Sequence, residues 1–500
     1  MSEPTPLRFY DTLTGDKVPF AGPESGKAGI YVCGPTVYDY AHLGHARCYV
    51  VWDVLIRHLR ASGIAVNYVR NITDIDDKIL KRAGEKGVTP AALAEEFTEH
   101  FQEDMRRLGN LDPDVEPKVS EHLGEIIAMV ETLIAKGHAY ASDGDVYYAV
   151  ESFPEYGKLS HRTLDALKSG ASERLDVAQT SRKRHPADFA LWKGGAGGWE
   201  SPWGTGRPGW HIECSAMSTK HIGDTLDLHA GGLDLVFPHH ENEIAQSEGA
   251  TGKTYCRHWM HNGFVQVNGE KMGKSLGNFF TARVLFERVE PEAVRLWTMT
   301  VHYRAPLNLD FDVDDEGKVT RFPQLEEAER RVEYLYETKR RLAAIPPKRI
   351  VDRQEPPPEG IAGFHAALRQ ALDDDLNMPQ ALAAMAELLK ATNELTEKAK
   401  GKKGKVARGL VDAAHEAFAA LEAELGLGGE DASAVLLRIR DRRAAARGIT
   451  AADVEAAIQA RVDARAAKDF ERADAIRAEL AGTGVELHDT PEGTTWSVPA

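Results

Sequence analysis

Two histidines three positions apart, His42 and His45, lie where the sequence changes from a predicted strand to a predicted helix. Residues 30–33 form a short apolar segment typical of a buried strand, and apolar residues recur from position 46 to 59 with the spacing of a buried helix. The N-terminus of a helix stabilises anions through its unpaired N–H groups and its dipole. The pair is therefore a candidate site for phosphate oxygens, although two histidines in a loop also occur on ordinary surfaces.

A second candidate for phosphate chemistry is the segment Lys-Met-Gly-Lys-Ser at 271–275, which stands between Gly269 and Gly277. Its two cations, Lys271 and Lys274, lie in a loop that the glycines allow to move. Such a loop can close on a triphosphate and stabilise the charge that develops as pyrophosphate leaves. Because lysine-rich loops alone are usually solvated surface, the indication comes from the conjunction of both motifs on one α/β chain.

The two motifs together resemble the His-Ile-Gly-His and Lys-Met-Ser-Lys-Ser signatures of class I aminoacyl-tRNA synthetases. Leu43 and Gly273 stand where isoleucine and serine are usual. Leu43 is an apolar replacement, whereas Gly273 removes a hydroxyl and adds backbone freedom. The resemblance implies ATP-dependent activation of an amino acid, with both histidines and both lysines as the catalytic, ATP-binding residues and Mg²⁺ beside the nucleotide.

Side chains of the types that bind zinc are widely separated in the sequence, and they are Cys33, Cys214, His239 and Glu243. If Pro238 opens a helix, as proline commonly does, His239 and Glu243 lie four residues apart on one face, and His240 and Glu241 point elsewhere. Buried cysteines are more often small apolar residues than ligands, so this spacing alone is weak support for a metal site.

The segments around these residues resemble the cysteinyl-tRNA synthetase family, and the similarity extends over essentially the whole chain. They are Cys33-Gly-Pro-Thr-Val-Tyr-Asp, Asn71-Ile-Thr-Asp-Ile-Asp-Asp-Lys, Gly209-Trp-His-Ile-Glu-Cys-Ser and His239-His-Glu-Asn-Glu. The resemblance implies that the four candidate ligands hold one zinc ion. It also implies that L-cysteine attacks ATP to give cysteinyl adenylate and pyrophosphate, and that the terminal ribose hydroxyl of tRNA(Cys) then takes up the cysteinyl group.

Zinc suits the discrimination that such an enzyme needs. Cysteine and serine differ by one atom, and apolar packing separates such analogues by only about 1–3 kcal/mol. A thiol loses its proton readily on a soft metal, whereas a serine hydroxyl does not. We therefore expect the zinc to keep an open position for the substrate sulfur, without an editing domain.

Other residues are assigned to the substrates with less support. The resemblance places Trp210 at the wall of the amino-acid pocket, although by itself this residue could equally be core. His229 and Asp234 lie in a predicted glycine-containing turn that we expect near the amino acid or the adenylate. Thr36 and the backbone of Gly34 would line the same cavity, and Gly34 is counted with the ATP site.

The elements around the motifs predict an α/β fold. A second predicted strand, residues 65–69, follows the helix, and strand, helix and strand form a βαβ unit with a parallel sheet. The predicted parts are the first half of a Rossmann-like catalytic domain (1–120), a connective insertion (121–205), the second catalytic half (206–320), an α-helical tRNA-binding bundle (321–448) and a small C-terminal anticodon-binding domain (449–500).

The C-terminal end is acidic, since residues 451–500 contain five Lys and Arg against ten Asp and Glu, a difference of −5. Phosphate attraction is therefore excluded as its main role. Acidic side chains can accept hydrogen bonds from base edges, and aromatic rings can stack on unpaired bases. The predicted anticodon readers are Phe470, Asp474, Asp489 and Trp496, for which helix packing and turn formation are the alternatives.

A basic run lies further upstream and has no acid inside it. It could contact the RNA backbone or form a solvated loop. Its cations are Lys398, Lys400, Lys402, Lys403, Lys405 and Arg408.

Composition restricts the partners and the compartment. The 500-residue chain has a formal net charge of −16, which excludes an indiscriminate polyanion binder, and only four cysteines, which favour a reducing compartment. No apolar stretch approaches the length of a membrane-spanning helix, and no signal peptide is evident. We expect a cytoplasmic enzyme without a membrane partner, with a monomer as one option for its assembly.

Two other functions remain open at this point. A ligase that transfers activated cysteine to the amine of a sugar derivative would resemble the catalytic half, but the residues after 320 argue against it. A non-catalytic, zinc-containing RNA-binding paralogue would be expected to have lost the phosphate-handling residues, and both motifs are present.

Overall fold

The computed structural model describes residues 7–23, 26–163, 182–273, 278–401, 404–490 and 493–499. The strands are, in chain order, β1 Arg8–Asp11, β2 Asp16–Pro19, β3 Ala28–Val32, β4 Val66–Arg70, β5 Ala139–Ser142, β6 Asp145–Tyr148, β7 Phe189–Trp199, β8 Gly206–Pro208, β9 Leu228–Gly232, β10 Trp259–Asn262, β11 Val265–Val267, β12 Glu270–Lys271, β13 Leu307–Leu309, β14 Asp312–Val313, β15 Val319–Arg321, β16 Ile350–Val351, β17 Val406–Ala407, β18 Glu486–Thr490 and β19 Gly493–Ser497. The α-helices are α1 Leu43–Ala61, α2 Asp77–Lys86, α3 Pro90–Arg107, α4 Leu123–Ala135, α5 Ile212–His221, α6 Glu241–Thr251, α7 Ala282–Phe286, α8 Pro291–Thr298, α9 Pro323–Ala343, α10 Glu359–Ala362, α11 Phe364–Asp373, α12 Met378–Lys400, α13 Arg408–Leu425, α14 Ala432–Ala446, α15 Ala451–Ala466 and α16 Phe470–Gly482.

The centre of the N-terminal part is a parallel sheet with the strand order β10-β9-β3-β4. In it, β3 pairs with β4 from Ala28 against Val66, and with β9 from Ile30 against Leu228. Helix α1 connects β3 to β4, as a parallel pair requires. The predicted strand, helix and strand are confirmed, and with them the α/β fold class.

Helix α1 is buried on all sides, with Val50, Trp52 and Leu55 fully inaccessible to solvent. The sheet covers one side of the helix, and helices α8 and α13 pack against the others. The helix begins at Leu43, three residues before its predicted start, because His42 caps it. The two histidines therefore belong to the helix terminus itself.

The insertion contains an antiparallel sheet with the order β5-β6-β7-β8. Tyr148 and Trp192 from this sheet pack with helices α4 and α5 in one hydrophobic core, and this core also contains Cys33 and Cys214. The insertion therefore supports the walls of the predicted metal site.

The C-terminal part is helical, as predicted. Helix α12 packs against α9, α11 and α13. Helices α15 and α16 and the β18–β19 hairpin share a small core of their own, which includes Val454, Ile476 and Trp496. The exact limits of the five predicted parts stay a prediction. None of the helices within the described ranges is long and apolar enough to cross a membrane.

Candidate active site and metal centre

The four predicted zinc ligands meet in one buried cluster. One ligand-type atom from each of Cys33, Cys214, His239 and Glu243 lies within 4.8 Å of the other three. The two Sγ atoms are 3.8 Å apart, Cys33 Sγ is 3.7 Å from Glu243 Oε1, and His239 Nε2 is 3.0 Å from the same oxygen. Side chains widely separated in the sequence therefore form a single group of potential donors.

The topology explains this convergence. Cys33 directly follows β3, so it stands at the carboxyl edge of the parallel sheet, where ligands bind in folds of this type. Cys214 lies in the first turn of α5, and Glu243 lies in the first turn of α6. Because both helices pack against each other and begin at this edge, their first turns face Cys33.

The turn before α6 differs from the prediction. Pro238 lies in a single π-helical turn, Val236–His240, in which Phe237 is extended, and the regular helix begins only at Glu241. His239 still reaches Glu243. His240, however, does not point elsewhere, because its Nε2 atom is 3.3 Å from Cys33 Sγ.

Glu241 does point away from the cluster, as expected, and its carboxylate accepts hydrogen bonds from the N–H groups of Gly157 and Ser160. A second group of potential ligands shares Cys33 and Glu243 but uses His229 and His240 in place of the other two residues. Sequence spacing did indicate His240, since it precedes Glu243 by three positions and residues three apart are neighbours on a helix, but the prediction considered only the pair His239 and Glu243.

His229 and Tyr255 hold the carboxylate of Glu243. The Nε2 atom of His229 and the hydroxyl of Tyr255 each lie 2.9 Å from Glu243 Oε2. His229 belongs to strand β9 rather than to a turn, which corrects the prediction. Gly231, two positions later in the same strand, leaves room for the ring of His240, because a Cβ on this residue would approach that ring to about 3.0 Å. Tyr255 carried no recognisable sequence signal.

The electrostatics of the cluster favour the anionic form of Cys214 and Glu243 and the protonated form of Cys33 and His239. The hydrogen bond from Cys33 lowers the pKa of Cys214 to about 6. Burial raises the pKa of Glu243, but His229 and His239 outweigh it and hold that pKa well below its usual range. Burial raises the pKa of the Cys33 thiol, and neighbouring Cys214 adds to that increase. Glu243 and Cys214 outweigh the effect of burial on His239 and raise its pKa to about 10.

These residues fit a zinc ion in chemistry and spacing. Two thiols, one imidazole and one carboxylate are all common zinc donors, and thiols favour soft metals. Tetrahedral ligands at ordinary zinc distances are separated by about 3.3–3.8 Å. The 3.8 Å between the two Sγ atoms and the 3.7 Å from Cys33 Sγ to Glu243 lie in that range, and the 3.0 Å from His239 to Glu243 is slightly shorter.

The predicted substrate residues differ in their exposure. Trp210 is 42% exposed, and its ring centroid is 4.4 Å from that of His239, so it is not core, and its place at the wall of the amino-acid pocket stays a prediction. Asp234 is exposed in the short turn after β9. Thr36 is half-buried and lies in a β-bridge with Thr73.

Gly34 has a structural reason to be glycine. Its N–H group donates to Oδ1 of Asn71 at 2.8 Å, and a Cβ at this position would overlap the main-chain oxygen of Asn71. The chain therefore passes close to Asn71 directly after Cys33. This fixes the backbone of Gly34 beside the predicted site.

The predicted phosphate site lies at the N-terminus of α1. The N–H of His45 donates to Nδ1 of His42, and the N–H of His42 donates to Nδ1 of His45, each at 3.3 Å. Burial, with smaller effects of His42 and Lys78, lowers the pKa of His45 well below its usual range. A neutral imidazole that accepts at Nδ1 carries its proton on Nε2. His45 is therefore a donor of the kind that a phosphate oxygen needs.

The segment after the lysine loop pairs with the histidine segment. The N–H of Leu43 donates to the carbonyl of Phe280 at 3.1 Å, and the N–H of Ala282 donates to the carbonyl of Ala41 at 2.8 Å. The two signature segments, more than two hundred positions apart in the sequence, are therefore neighbours in the structure.

Lys271 is exposed at the end of β12, whereas Lys274 lies outside the described residues. Asn278 braces the first part of the loop, since its Oδ1 accepts from the N–H of Gly273 at 2.8 Å and its Nδ2 donates to the carbonyl of Lys271 at 3.2 Å. Asn278 was not among the predicted residues.

The predicted anticodon readers separate into two groups. Phe470 is 62% exposed at the start of α16, and Asp474 is exposed on the same helix. Trp496 is only 5% exposed, with the guanidinium of Arg440 3.9 Å from its ring centroid and its Nε1 donating to Glu455. The ring of Trp496 lies in the core of the small domain, which favours the packing alternative, and its role as an anticodon reader stays a prediction.

Asp489 is also engaged within the protein. Its two carboxylate oxygens accept hydrogen bonds from Arg461 at 2.8 and 2.9 Å, and Thr494 donates to one of them. The hydrogen bonds from Arg461 and Thr494 hold the pKa of this carboxyl well below its usual range. A base edge would have to compete with these bonds.

Within the basic run, three cations have acidic partners: Lys398 with Glu355, Lys400 with Glu397, and Arg408 with Asp352. Lys402 and Lys403 lie outside the described residues. The pairing reduces the charge that the described members could offer to an RNA backbone.

Three family models match successive parts of the chain. Residues 20–315 match the tRNA synthetases class I (C) catalytic domain. Residues 367–428 match the DALR domain, and residues 448–496 match the cysteinyl-tRNA ligase anticodon binding domain. The C-terminal matches argue against a ligase of sugar amines, which would lack such an end.

Similar proteins cover nearly the whole chain. It is 52% identical over 501 residues to a cysteine–tRNA ligase of Anaeromyxobacter dehalogenans, which covers 98% of this chain and 99% of that protein. It is 48% identical over 510 residues to the cysteine–tRNA ligase of Pelobacter propionicus, again with 98% and 99% covered.

Among solved structures, the fold is similar to that of a Mycobacterium tuberculosis methionyl-tRNA synthetase in complex with methionyl-adenylate. The TM-score is 0.58 at 16% identity, over 82% of this chain and 93% of that one. At this identity, the likeness shows the fold alone.

Proposed function

The chain belongs to the cysteine–tRNA ligase family, and on that premise we propose how its residues divide the reaction between an amino-acid end and a nucleotide end. It charges tRNA with cysteine, with ATP as the second substrate.

At the amino-acid end, the metal ligands are Cys33, Cys214, His239 and Glu243, and the ion is zinc. When bound, zinc supplies a soft Lewis acid that accepts a thiolate and discriminates against a serine hydroxyl. His229 and Tyr255 hold the outer oxygen of Glu243, which fixes the carboxylate in one orientation. Trp210 covers the outer side of His239 and excludes water from that side.

At the nucleotide end, the N-terminus of α1 and the Nε2–H groups of His42 and His45 bind phosphate oxygens of ATP, which enters with Mg²⁺. Lys271 and Lys274 stabilise the negative charge that develops as pyrophosphate leaves. Gly34, Thr36, His229 and Asp234 line the space between the two ends. The cysteine carboxylate can then attack the α-phosphate in a reaction that depends on alignment and needs no protein nucleophile.

The second step takes place at the same edge of the sheet, where the terminal ribose hydroxyl of tRNA(Cys) attacks the cysteinyl carbonyl. The bundle and the small C-terminal domain hold the rest of the tRNA. Phe470 and Asp474 are the exposed candidates for contact with unpaired bases.

A cytoplasmic location is part of the proposal. Cys33, Cys48, Cys214 and Cys256 are all free thiols, and a centre of two reduced cysteines persists in a reducing compartment. A monomer is proposed as the assembly, which light scattering of the purified protein tests.

The observation that carries the proposal is the convergence of four widely separated ligand-type side chains into one buried group at the carboxyl edge of the sheet. We expect ATP–pyrophosphate exchange by the purified enzyme to respond to cysteine and not to serine. Removal of the metal with a chelator should abolish the response, and zinc should restore it. Equal exchange with serine, or full cysteine-dependent exchange after verified loss of the metal, would contradict the proposal.

A further inference from the structure

Arg47 is a fully buried cation on α1, two residues after His45. Its Nη1 atom donates to the carbonyl oxygens of Gly263 at 3.0 Å and Phe264 at 2.7 Å. Its Nη2 atom donates to the carbonyl oxygens of Tyr303 at 3.0 Å and Ala305. One side chain of α1 thus binds the main chain of two separate segments.

The charge environment of Arg47 is unusual for a buried arginine. No carboxylate within the described ranges lies within ion-pair distance of it, whereas the buried Arg295 pairs with Asp53 and the buried Arg70 pairs with Glu116. A buried cation without a counter-ion is destabilising unless dipoles replace the lost water. Carbonyl oxygens supply those dipoles here, so the position of each carbonyl is fixed relative to α1.

The two segments that Arg47 binds lead to the lysine loop. Residues 263–264 connect β10 of the central sheet to β11, and β11 pairs with β12, where Gln266 stands opposite Lys271. Residues 302–305 connect α8 to β13, which pairs with β11 in parallel. These strands form a small sheet with the order β12-β11-β13, in which β12 carries Lys271. Arg47 therefore binds the two segments that lead into β11 and β13.

Arg47 lies on the same helix as the histidine segment. Arg47 lies within the second turn of α1, whose first residues pair with the chain after the lysine loop at Phe280 and Ala282. The helix start is thus joined to the chain after the lysine loop by main-chain hydrogen bonds, and α1 is joined by Arg47 to the segments that lead into the small sheet.

We propose that Arg47 is a positioning residue for adenylate formation, which sets the separation between the helix terminus that carries His42 and His45 and the sheet that carries Lys271. This inference rests on the proposed nucleotide end of the site. Arg47 does not touch the reacting atoms. Loss of its planar set of donors would shift the lysine loop relative to the histidines, and a displacement of about 1 Å in such a site can reduce the rate about 100-fold.

The matched control is Arg295, which is equally buried and also donates to carbonyl oxygens, those of Leu425 and Leu108. It joins α8 to the helical part and does not contact either segment that leads to Lys271. Lysine at either position keeps the charge but loses the fork of donors. Arg47→Lys and Arg295→Lys should therefore destabilise the fold to a comparable extent and differ in their effect on chemistry.

The test measures cysteine-dependent ATP–pyrophosphate exchange, the unfolding midpoint and the metal content of the wild-type enzyme and of both variants. We expect Arg47→Lys to lower kcat for exchange by about 10- to 100-fold, with KM for cysteine within about twofold of wild type and metal content unchanged. Arg295→Lys should keep kcat within about twofold at a similar loss of stability.

Equal losses of kcat in the two variants, an unchanged kcat in Arg47→Lys, or a change in Arg47→Lys confined to KM for cysteine would overturn the inference. Failure of Arg47→Lys to fold while Arg295→Lys folds would also overturn it, because Arg47 would then be a requirement of folding. Absence of exchange in the wild-type enzyme would instead contradict the proposed function, so the two failures are distinguishable.

Discussion

The metal-ligand cluster at the edge of the central sheet and the small C-terminal domain differ in the burial of their candidate functional side chains. In the pocket, Cys214, His229 and Glu243 are buried, and Glu243 accepts a hydrogen bond from His229 and belongs to the ligand group that contains Cys214. In the C-terminal domain, Phe470 is exposed, whereas Trp496 is buried in the domain core. Residues proposed for function are thus inside one region and on the surface of the other.

The difference shows in which region the burial of a side chain indicates a functional role. Burying thiols, imidazoles and a carboxylate together is unfavourable unless these groups hydrogen-bond to one another, form ion pairs or bind an ion. A buried polar cluster therefore indicates a binding role even without a sequence motif. On a surface that reads RNA, exposure is required, and a buried ring such as that of Trp496 is explained by packing alone.

The largest expected effect comes from removing one thiol of the pocket. Cys214→Ser replaces a soft donor by a weak one. We expect substoichiometric zinc in the purified variant, and cysteine-dependent pyrophosphate exchange reduced by at least about 100-fold, since even residues that only orient metal ligands contribute about 10- to 100-fold. Metal analysis and exchange on the same preparation measure both.

Cys256→Ser is the control for this experiment. Cys256 is as buried as Cys214, and its Sγ donates to the carbonyl of His258, away from the ligand group. This variant should keep its zinc and its exchange rate. Similar losses in both variants would mean that any buried thiol is needed for packing, and the contrast between the pocket and an ordinary core would disappear.

Much of the pocket could be predicted from the sequence because the segments that carry its ligands resemble those of a known family, whereas the spacing of the four ligands alone was weak support. Cys33 follows a predicted strand, and the histidine pair stands before a predicted helix, so their neighbourhood follows from the βαβ unit. The pairing of the two signature segments at Leu43 and Phe280 was not predicted, although both motifs were expected on one α/β chain.

The parts that could not be predicted depend on local irregularity and on packing over long distances. His240 lies 3.3 Å from Cys33 at the end of a π-helical turn, and a turn of this kind cannot be predicted from the sequence pattern. His229 lies on a strand that pairs with both β3 and β10, and Gly231 in that strand leaves room for the ring of His240, whereas glycines in sequence suggest a turn. The burial of Trp496 depends on Arg440 and Glu455, which belong to other helices.

A smaller effect is expected for the exposed ring of the C-terminal domain. Phe470→Ala should raise KM for tRNA in the charging reaction by an amount equivalent to about 1–3 kcal/mol, the usual contribution of one aromatic ring stacked on a base. Cysteine-dependent exchange without tRNA, and the unfolding midpoint, should not change.

Trp496→Phe is its counterpart. The variant retains a ring in the core but loses the hydrogen bond to Glu455, so we expect a loss of about 1 kcal/mol in stability and an unchanged KM for tRNA. If Trp496→Phe raised KM for tRNA while Phe470→Ala did not, the division into an exposed reader and a buried support would be reversed.

The smallest effect is expected at the junction of the two regions, where His58 near the end of α1 meets the helical bundle. Its ring nitrogens lie 2.9 Å from Asp373 and 2.7 Å from Glu424. Burial lowers the pKa of His58, but the hydrogen bonds to Asp373 and Glu424 outweigh it and raise the pKa above its usual value.

The stabilisation from this contact is therefore complete below the ordinary histidine pKa of about 6.5. It is lost as pH rises through the raised pKa, at up to about 1.4 kcal/mol per pH unit. We expect the stability difference between wild type and His58→Gln, measured by denaturant unfolding, to shrink as the pH rises from about 6.5 into the alkaline range. A difference that stayed constant over that interval would show that the imidazole acts by packing and not by charge, and the junction would then resemble the core of the small domain more than the charged pocket.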